Sequence, residues 1–354
     1  MFKGCYKNKK VLITGHTGFK GSWLALWLST LSADIIGYSL TPPTEPNHFR
    51  LLNMELISLT GDIRDLENLK QIFKAYQPEI IFHLAAQAIV KDSYKDPVTT
   101  FSSNVMGTVN ILEAARGIDS VKAIINVTSD KCYENKEWAW GYREIDPMGG
   151  YDPYSASKGC TEILTRCWQK TFFNSEEYCK THQTLLASTR AGNVIGGGDW
   201  APHRLIPDIV RAIHQHEKVK IRNPHSIRPW QHVLEPLSGY LLLGQKLLEG
   251  EKDFAQAWNF GPSFEENITV EEVVQTMKHI WPEMEYERAQ IQDQSHEAGI
   301  LKLDTSKARQ HLKWKPVWDC SQAIQYTAEW YKEFYNNGSI LSFDQLEAYK
   351  AMLD

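Results

Sequence analysis

A chain of 354 residues with 42% apolar and 23% charged side chains carries enough apolar material for a sizeable core, which excludes global disorder. Its formal net charge of -5 is too mild to steer it toward nucleic acid or an anionic membrane, so an anionic ligand must be held by local Arg and Lys residues. Its 6 cysteines include no C-x-x-C pair and are expected as reduced thiols of a cytoplasmic protein; no membrane-spanning apolar run and no secretory signal are expected either.

The first half alternates strand and helix. KKVLITG (9–15) is a short apolar run ending in glycine and predicts a buried parallel strand. SWLALWLSTL (22–31), apolar nearly all round, predicts a helix pressed against a sheet. ADIIGYSL (33–40) reads as the second strand, broken off by PPTEP, and LISLTGDI (56–63) as the third. DLENLKQIFKAY (65–76) has helical periodicity and an acidic start. EIIFHLAA (79–86) is a fourth strand, NVMGTVNILEAARG (104–117) a helix closed by glycine, and VKAIINVTS (121–129) a fifth strand. SASKGCTEILTRCWQKTF (155–172) is a long helix, and a sixth strand begins in HQTLLASTRAGNVIG (182–196).

This interleaving predicts an α/β fold: a doubly wound parallel (Rossmann) sheet, helices on both faces, with its ligand at the carboxyl ends of the strands. Those ends carry GHTG, TGDI, HLAAQ, VTSDK and TRAGN. Beyond 196 the rhythm changes. IPDIVRAIHQHEK looks helical, KVKIRNP looks like a strand, and 261–354 reads as short helices with scattered aromatics. The expected division is a sheet domain over 1–190, rejoined by about 226–262, and a smaller α/β substrate-binding lobe from 191–225 and 263–354.

Gly15, Gly18 and Gly21 stand between the first strand and the first helix. Glycines let the backbone turn sharply and approach a pyrophosphate, and the helix N-terminus offers free N–H groups and a positive dipole end. The bland alternative is an ordinary strand–helix turn. The spacing is G-x-x-G-x-x-G with Phe19 inside, and here the chain resembles the extended short-chain dehydrogenase/reductase family. The resemblance implies NAD, with Gly15, Thr17, Gly18, Phe19 and Gly21 at the phosphates. It also implies Asp62 and Ile63 at the adenine, and Leu84, Ala85 and Ala86 along the pyrophosphate and nicotinamide ribose. The acidic ribose ligand that usually ends the second strand is replaced by GYSL, leaving Ser39 or Tyr38 for that role. No arginine follows to receive a 2′-phosphate, which favours NAD over NADP.

YSASK sets Tyr154 and Lys158 four residues apart, on one face of a helix. Such a pair is often only a surface contact, but here it follows a strand ending in VTS. A phenol of pKa about 10 needs roughly 4 kcal/mol to titrate near neutrality. One cation about 4 Å away supplies about that at an effective dielectric near 20, so Lys158 together with an oxidised nicotinamide suffices. The resemblance implies that Tyr154 and Lys158 are the proton-relay pair, with Ser129, or its neighbour Thr128, as the third hydroxyl.

Removing water from a hexose needs more. Once C4 is a ketone, a base must take the C5 proton and an acid must protonate the departing C6 hydroxyl. Asp130 and Lys131 directly follow Ser129. The alternative is a capping Asp130 and a solvated Lys131, and in a continuing strand the two would face opposite ways. VTSDKCY resembles the sugar-nucleotide 4,6-dehydratases, whose cytidine branch carries Lys where most members carry Glu. This implies a CDP-sugar substrate and catalytic roles for Ser129, Asp130, Lys131, Tyr154 and Lys158. It also places the enzyme in deoxysugar supply for a bacterial surface polysaccharide. A lysine base must lose its proton, so desolvation or a nearby cation is expected to depress Lys131.

The later segments resemble the same branch. They imply substrate contacts from Gln87, Asn193, Arg204, Leu205, Arg222, Arg228 and His232. Forked guanidiniums suit diphosphate oxygens; the alternative for any one arginine is a surface ion pair, and His232 is equally a packed histidine. HQHEK contains an H-x-H on an expected amphipathic helix, with no further ligand to complete a metal site, so no metal is expected. The tryptophans are expected in packing. Family members pair through two helices, which makes 104–117 and 155–172 candidates for a homodimer or homotetramer. Two readings stay open beside the dehydratase: a 4-epimerase or other nucleotide-sugar dehydratase, and a non-catalytic NAD-binding sensor.

Overall fold

The computed structural model describes residues 1–221, 223–263, 268–288 and 300–353. Seven strands form one parallel sheet: β1 (Lys10–Thr14), β2 (Asp34–Ser39), β3 (Ile57–Thr60), β4 (Ile80–His83), β5 (Ala123–Val127), β6 (Leu185–Ala191) and β7 (Ala257–Phe260). Their order across the sheet is β7-β6-β5-β4-β1-β2-β3. The chain therefore winds outward in both directions from the β1/β4 junction, and a crevice opens where the two directions part.

Side-chain alternation along these strands feeds two cores. On one face Val11, Ile13, Phe82, Ile125 and Ala187 pack against Trp23 and Trp27 of the Phe19–Thr30 helix and Leu237 and Leu241 of the Leu234–Leu248 helix. On the other, Leu12, Ile36, Ile81, Ile124 and Leu186 meet Leu69, Phe73, Ile111 and Leu112. The Phe19–Thr30 helix is apolar all round because it is buried between the sheet and later helices. Asp65 caps the Leu66–Tyr76 helix through Asn68 N at 3.0 Å, the acidic start the sequence predicts.

Three expectations need correction. The helix predicted over 104–117 is two pieces, a π-helical stretch Ser102–Met106 and an α-helix Gly107–Arg116. The wider turn lets the Asn104 side chain leave the helix and bind the neighbouring loop. The C-terminal region is not only short helices: Cys320–Asn337 is an 18-residue helix begun by an Asp319/Gln322 capping box. HQHEK is not helical throughout, since the Leu205–His214 helix stops inside it and His216 has φ 56°. Its two histidines straddle a helix end.

Most tryptophans pack as expected; Trp23, Trp27, Trp258, Trp318 and Trp330 are fully buried. Glu235 is buried among them, accepting from Trp318 N at 2.7 Å and from the Tyr349 hydroxyl at 2.8 Å. It thereby fastens the C-terminal helices to the Leu234–Leu248 helix. Among the described residues no helix is long and apolar enough to cross a membrane.

Candidate active site

One continuous cleft of about 1290 Å³ runs along the carboxyl edge of the sheet. Pockets for a single small ligand are about 300–1,000 Å³, so this one has room for two ligands side by side.

The cleft begins at the glycine loop. Gly15 has φ +77°, and a Cβ there would fall 2.8 Å from Ala85 N. A Cβ on Gly21 would fall 2.1 Å from Gly15 O, so the helix starts directly against the turn. Among the described residues no side chain caps this helix at Gly18, which leaves its first N–H groups for a ligand. Thr17 Oγ1 lies 2.7 Å from Ser39 Oγ, and both line the cleft with Phe19. A dinucleotide pyrophosphate fits this cradle, because the close approach it requires is the one that added β-carbons would block.

Ser39 and Tyr38 part company here. The Tyr38 hydroxyl donates to Asp62 O at 2.9 Å and accepts from Asn68 Nδ2 at 3.0 Å, with its ring buried in the core. The ribose role suggested for Tyr38 is therefore withdrawn, because side chains alternate along β2 and only Ser39 turns to the cleft. Asp62 and Ile63 line the cleft after β3, and the Arg64 guanidinium 2.6 Å from Asp62 holds its carboxyl below the usual range. Leu84, Ala85, Ala86 and Gln87 line it after β4. Asn104, which sequence reasoning missed, grips Gln87 from both sides. Its Oδ1 accepts from Gln87 N at 2.8 Å, and its Nδ2 donates to Gln87 O at 3.0 Å and Ser157 Oγ at 2.8 Å. The Gln87 carboxamide itself folds back on Ile89, donating to its carbonyl at 2.8 Å.

Ser129, Asp130 and Lys131 all line the cleft. β5 ends at Val127, and a single 3₁₀ turn, Asp130–Cys132, follows with Ser129 as its cap. Because the strand has ended, the two neighbours need not face opposite ways. Ser129 Oγ donates to Asp130 Oδ1 at 2.9 Å and accepts from Lys131 N at 3.2 Å. Asp130 is buried, and its Oδ2 has no hydrogen-bond partner among the described residues. A Cβ at Gly192 would fall 3.2 Å from that oxygen, so glycine there keeps it clear. Thr128, the alternative to Ser129, also lines the cleft, but its hydroxyl is given to the buried Glu162. That alternative is withdrawn.

The Pro153–Thr171 helix presents Tyr154 and Lys158 to the same cleft. Asp152 caps it through Ser155 N at 2.9 Å. Lys158 Nζ donates to Val127 O at 3.3 Å. Burial brings the Lys158 ammonium down to about 8, opposed by the charge of Glu162. Burial likewise pushes the Tyr154 phenol up to about 12, opposed by its hydrogen bond to Ser129. Lys158 by itself does not outweigh the cost of desolvating a phenolate, so the oxidised nicotinamide that the sequence reading set beside it is needed as well.

Farther along the cleft lie Asn193, Arg204, Leu205 and Arg228. Arg204 already pairs with Asp199 at 2.8 Å, and that carboxylate raises its pKa. Arg228 is buried and donates to Ile227 O at 2.9 Å. Arg222 lies outside the described residues. His232 does not reach the cleft. It is fully buried, its ring 4.9 Å from that of Trp318 and 5.8 Å from that of Trp23, and burial lowers its pKa to about 3. The strand alternation that aims Gln231 and His232 to opposite sides puts this ring into the core, so its substrate role is withdrawn.

Lys20 also lines the cleft and was missed. Burial, and the charges of Arg204 and Lys158, bring it down to about 7. Its signal was in the sequence: a cation in the first turn of a helix opposes the dipole. Among the described residues no group of three His, Cys, Asp or Glu side chains is placed to hold a metal ion.

The sequence profile of the GDP-mannose 4,6 dehydratase family matches residues 12–327. The chain belongs to this family. Its enzymes are NAD-dependent lyases of nucleotide sugars. This 4,6-dehydratase is 49% identical over 341 residues to the CDP-glucose 4,6-dehydratase of Salmonella typhimurium, covering 96% of this chain and 95% of the relative. The fold matches the dTDP-glucose 4,6-dehydratase of Streptomyces venezuelae, solved with NAD, at TM-score 0.76 and 22% identity over 93% of this chain and 98% of that one. The UDP-glucose 4-epimerase of Thermotoga maritima, solved with UDP-glucose, aligns at TM-score 0.76 and 21% identity over 92% and 100%.

Proposed function

We propose that the chain is a cytoplasmic, NAD-dependent CDP-glucose 4,6-dehydratase that forms the CDP-linked 4-keto-6-deoxy sugar. The observation that carries this reading is the Asp130–Lys131 turn, which lines the cleft beside Ser129, Tyr154 and Lys158. A 4-epimerase needs no second acid/base pair. The 49% identical relative supports cytidine as the base, and the free cysteines support a reducing compartment. The product class suits deoxysugar supply for a surface polysaccharide.

In this reading residues 1–190 with 226–262 hold the cofactor, and 191–225 with 263–354 hold the sugar nucleotide. NAD bound there would supply the two-electron acceptor and donor that C4 oxidation and C6 reduction require. Gly15, Gly18 and Gly21 bind its phosphates and Ser39 its ribose. Tyr154 takes the C4 hydroxyl proton, with Lys158 stabilising the phenolate and Ser129 bonding the reacting oxygen. Lys131 takes the C5 proton and gives a proton back to C5 when C6 is reduced. Asp130, through the otherwise unpartnered Oδ2, protonates the departing C6 hydroxyl, which leaves as water. Asn193, Arg204, Leu205 and Arg228 contact the sugar diphosphate. Parallel incubation with NAD and CDP-, dTDP- or GDP-glucose tests the reading. The keto product absorbs in alkali, and is expected at least tenfold faster from the CDP-sugar; equal or faster product from dTDP-glucose overturns the base assignment.

The same proposal includes a homodimer. Tyr94, Val98, Phe101 and Met106 are exposed on segments that pack beside the Pro153–Thr171 helix, where Ile163 is 62% exposed. An apolar patch of this kind suits a second copy across a two-fold axis. Sedimentation of Val98→Glu/Ile163→Glu is expected to give monomer where the wild type gives dimer or tetramer; an unchanged oligomer rules this face out.

A further inference from the structure

One turn below Lys158, on the same helix face, lies Glu162, which is buried and absent from the cleft lining. Its Oε1 accepts from the Thr128 hydroxyl. Its Oε2 accepts from Ser188 Oγ at 2.7 Å and Arg190 Nη2 at 2.8 Å. Arg190, equally buried on β6, extends its other nitrogen to the Tyr133 hydroxyl at 2.7 Å and to Glu144 O at 3.2 Å. Its guanidinium also lies 5.0 Å from the Tyr133 ring. The Tyr133 hydroxyl in turn donates to Asn259 Oδ1 at 2.7 Å. A single buried ion pair thus holds Thr128, just before the Ser129–Lys131 turn, and Tyr133, just after it.

We infer that Glu162 and Arg190 are the positioning pair of the dehydration site: together they clamp both ends of the turn that carries Ser129, Asp130 and Lys131, with Glu162 one helical turn from Lys158. This rests on the dehydratase reading above. Two physical reasons carry it. A buried ion pair contributes little net stability over apolar packing, so one retained beneath a reactive turn is better explained by the geometry it enforces. The groups around Lys158 also leave Glu162 as its main support. Lys158 faces Lys20 from the glycine-loop helix and His83 from β4, the first a repelling cation and the second held neutral by burial. Cys132 after β5 is a buried thiol pushed well up. The Glu162 carboxyl, which burial would raise, is kept below its ordinary range by Arg190 and its hydrogen bonds. It is the one carboxylate that raises Lys158.

The test uses the full chain with NAD and CDP-glucose. Keto product from the wild type checks the dehydratase reading first, and its absence overturns that reading and this inference together. Given wild-type turnover, Glu162→Gln is expected to move the alkaline limb of the kcat profile down by about one pH unit. Thr128→Val, which removes a hydroxyl and leaves the ion pair, is expected to lower kcat about tenfold or more with KM within about threefold, leaving the alkaline limb in place. A role in stability alone would change the folded fraction and neither readout. If Glu162→Gln does not fold because Arg190 is left unpaired, Glu162→Gln/Arg190→Met removes both charges and gives the same pH readout. A folded variant lacking the Glu162 charge whose alkaline limb is unmoved overturns the electrostatic role. Wild-type kcat in Thr128→Val overturns the clamp.

Discussion

Lys131→Ala is expected to slow dehydration by about 10³–10⁴-fold while leaving oxidation at C4 in place. Lys131 lines the cleft from the turn after β5, whereas the groups assigned to oxidation, Ser129, Tyr154 and Lys158, remain. The C4 ketone would form and then stall, because no base removes the C5 proton. The signature is a reduced nicotinamide absorbance that builds up within one turnover, together with loss of solvent deuterium exchange at C5. Exchange at the wild-type rate in the variant would remove Lys131 from the role of base. Loss of both half-reactions would mean that the side chain positions the sugar rather than deprotonates it.

Lys158→Met should have the opposite profile, failing at the first step and gaining stability. Burial lowers Lys158 from 10.5 to about 8, so the ammonium is held in the fold at a cost. The sign follows from proton binding. Between about 8 and 10.5 the unfolded chain carries a proton on this lysine that the folded chain lacks, so the lysine's contribution to stability rises with pH across that window. Below about 8 both states are charged and the full penalty is present, on the order of 3 kcal/mol. Replacing the lysine by an apolar side chain of similar length removes that penalty. The expected outcome at pH 7 is a turnover lowered by about 10³-fold or more and an unfolding midpoint a few degrees higher. For the wild type, activity should fall as pH rises through about 8, where Lys158 loses the charge that supports the Tyr154 phenolate. An unfolding midpoint lower in Lys158→Met than in the wild type would show that the lysine stabilises the fold, and would sink the argument.

The chemistry-bearing stretches of this chain are local, and local patterns can be read from order alone. Gly15, Gly18 and Gly21 sit between an apolar run and a helical one, Tyr154 and Lys158 are one turn apart, and Asp130 and Lys131 follow a strand. What the sequence left open, and the His232 role that was withdrawn, depended on where a side chain points after the backbone is placed. Tyr38 and Ser39 are adjacent, and the alternation of β2 sends one to the core and the other to the cleft. His232 looked like a ligand contact and is packed between indole rings. Ser129 was preferred to its neighbour Thr128, and the structure gives the Thr128 hydroxyl to Glu162 while Ser129 Oγ bonds Asp130.

By itself, the sequence determined the α/β alternation, the glycine loop and the residues of the 129–131 turn, because helix and strand periodicity and short motifs are encoded within a few neighbours. Only the tertiary structure decided the supports of that turn and the shifts of the Tyr154/Lys158 pair beside it. Burial lowers the Lys158 ammonium and raises the Tyr154 phenol, and Asn104, Glu162 and Arg190 act on residues far away in the chain. Desolvation and long-range hydrogen bonds exist only once distant segments meet, so no local pattern records them.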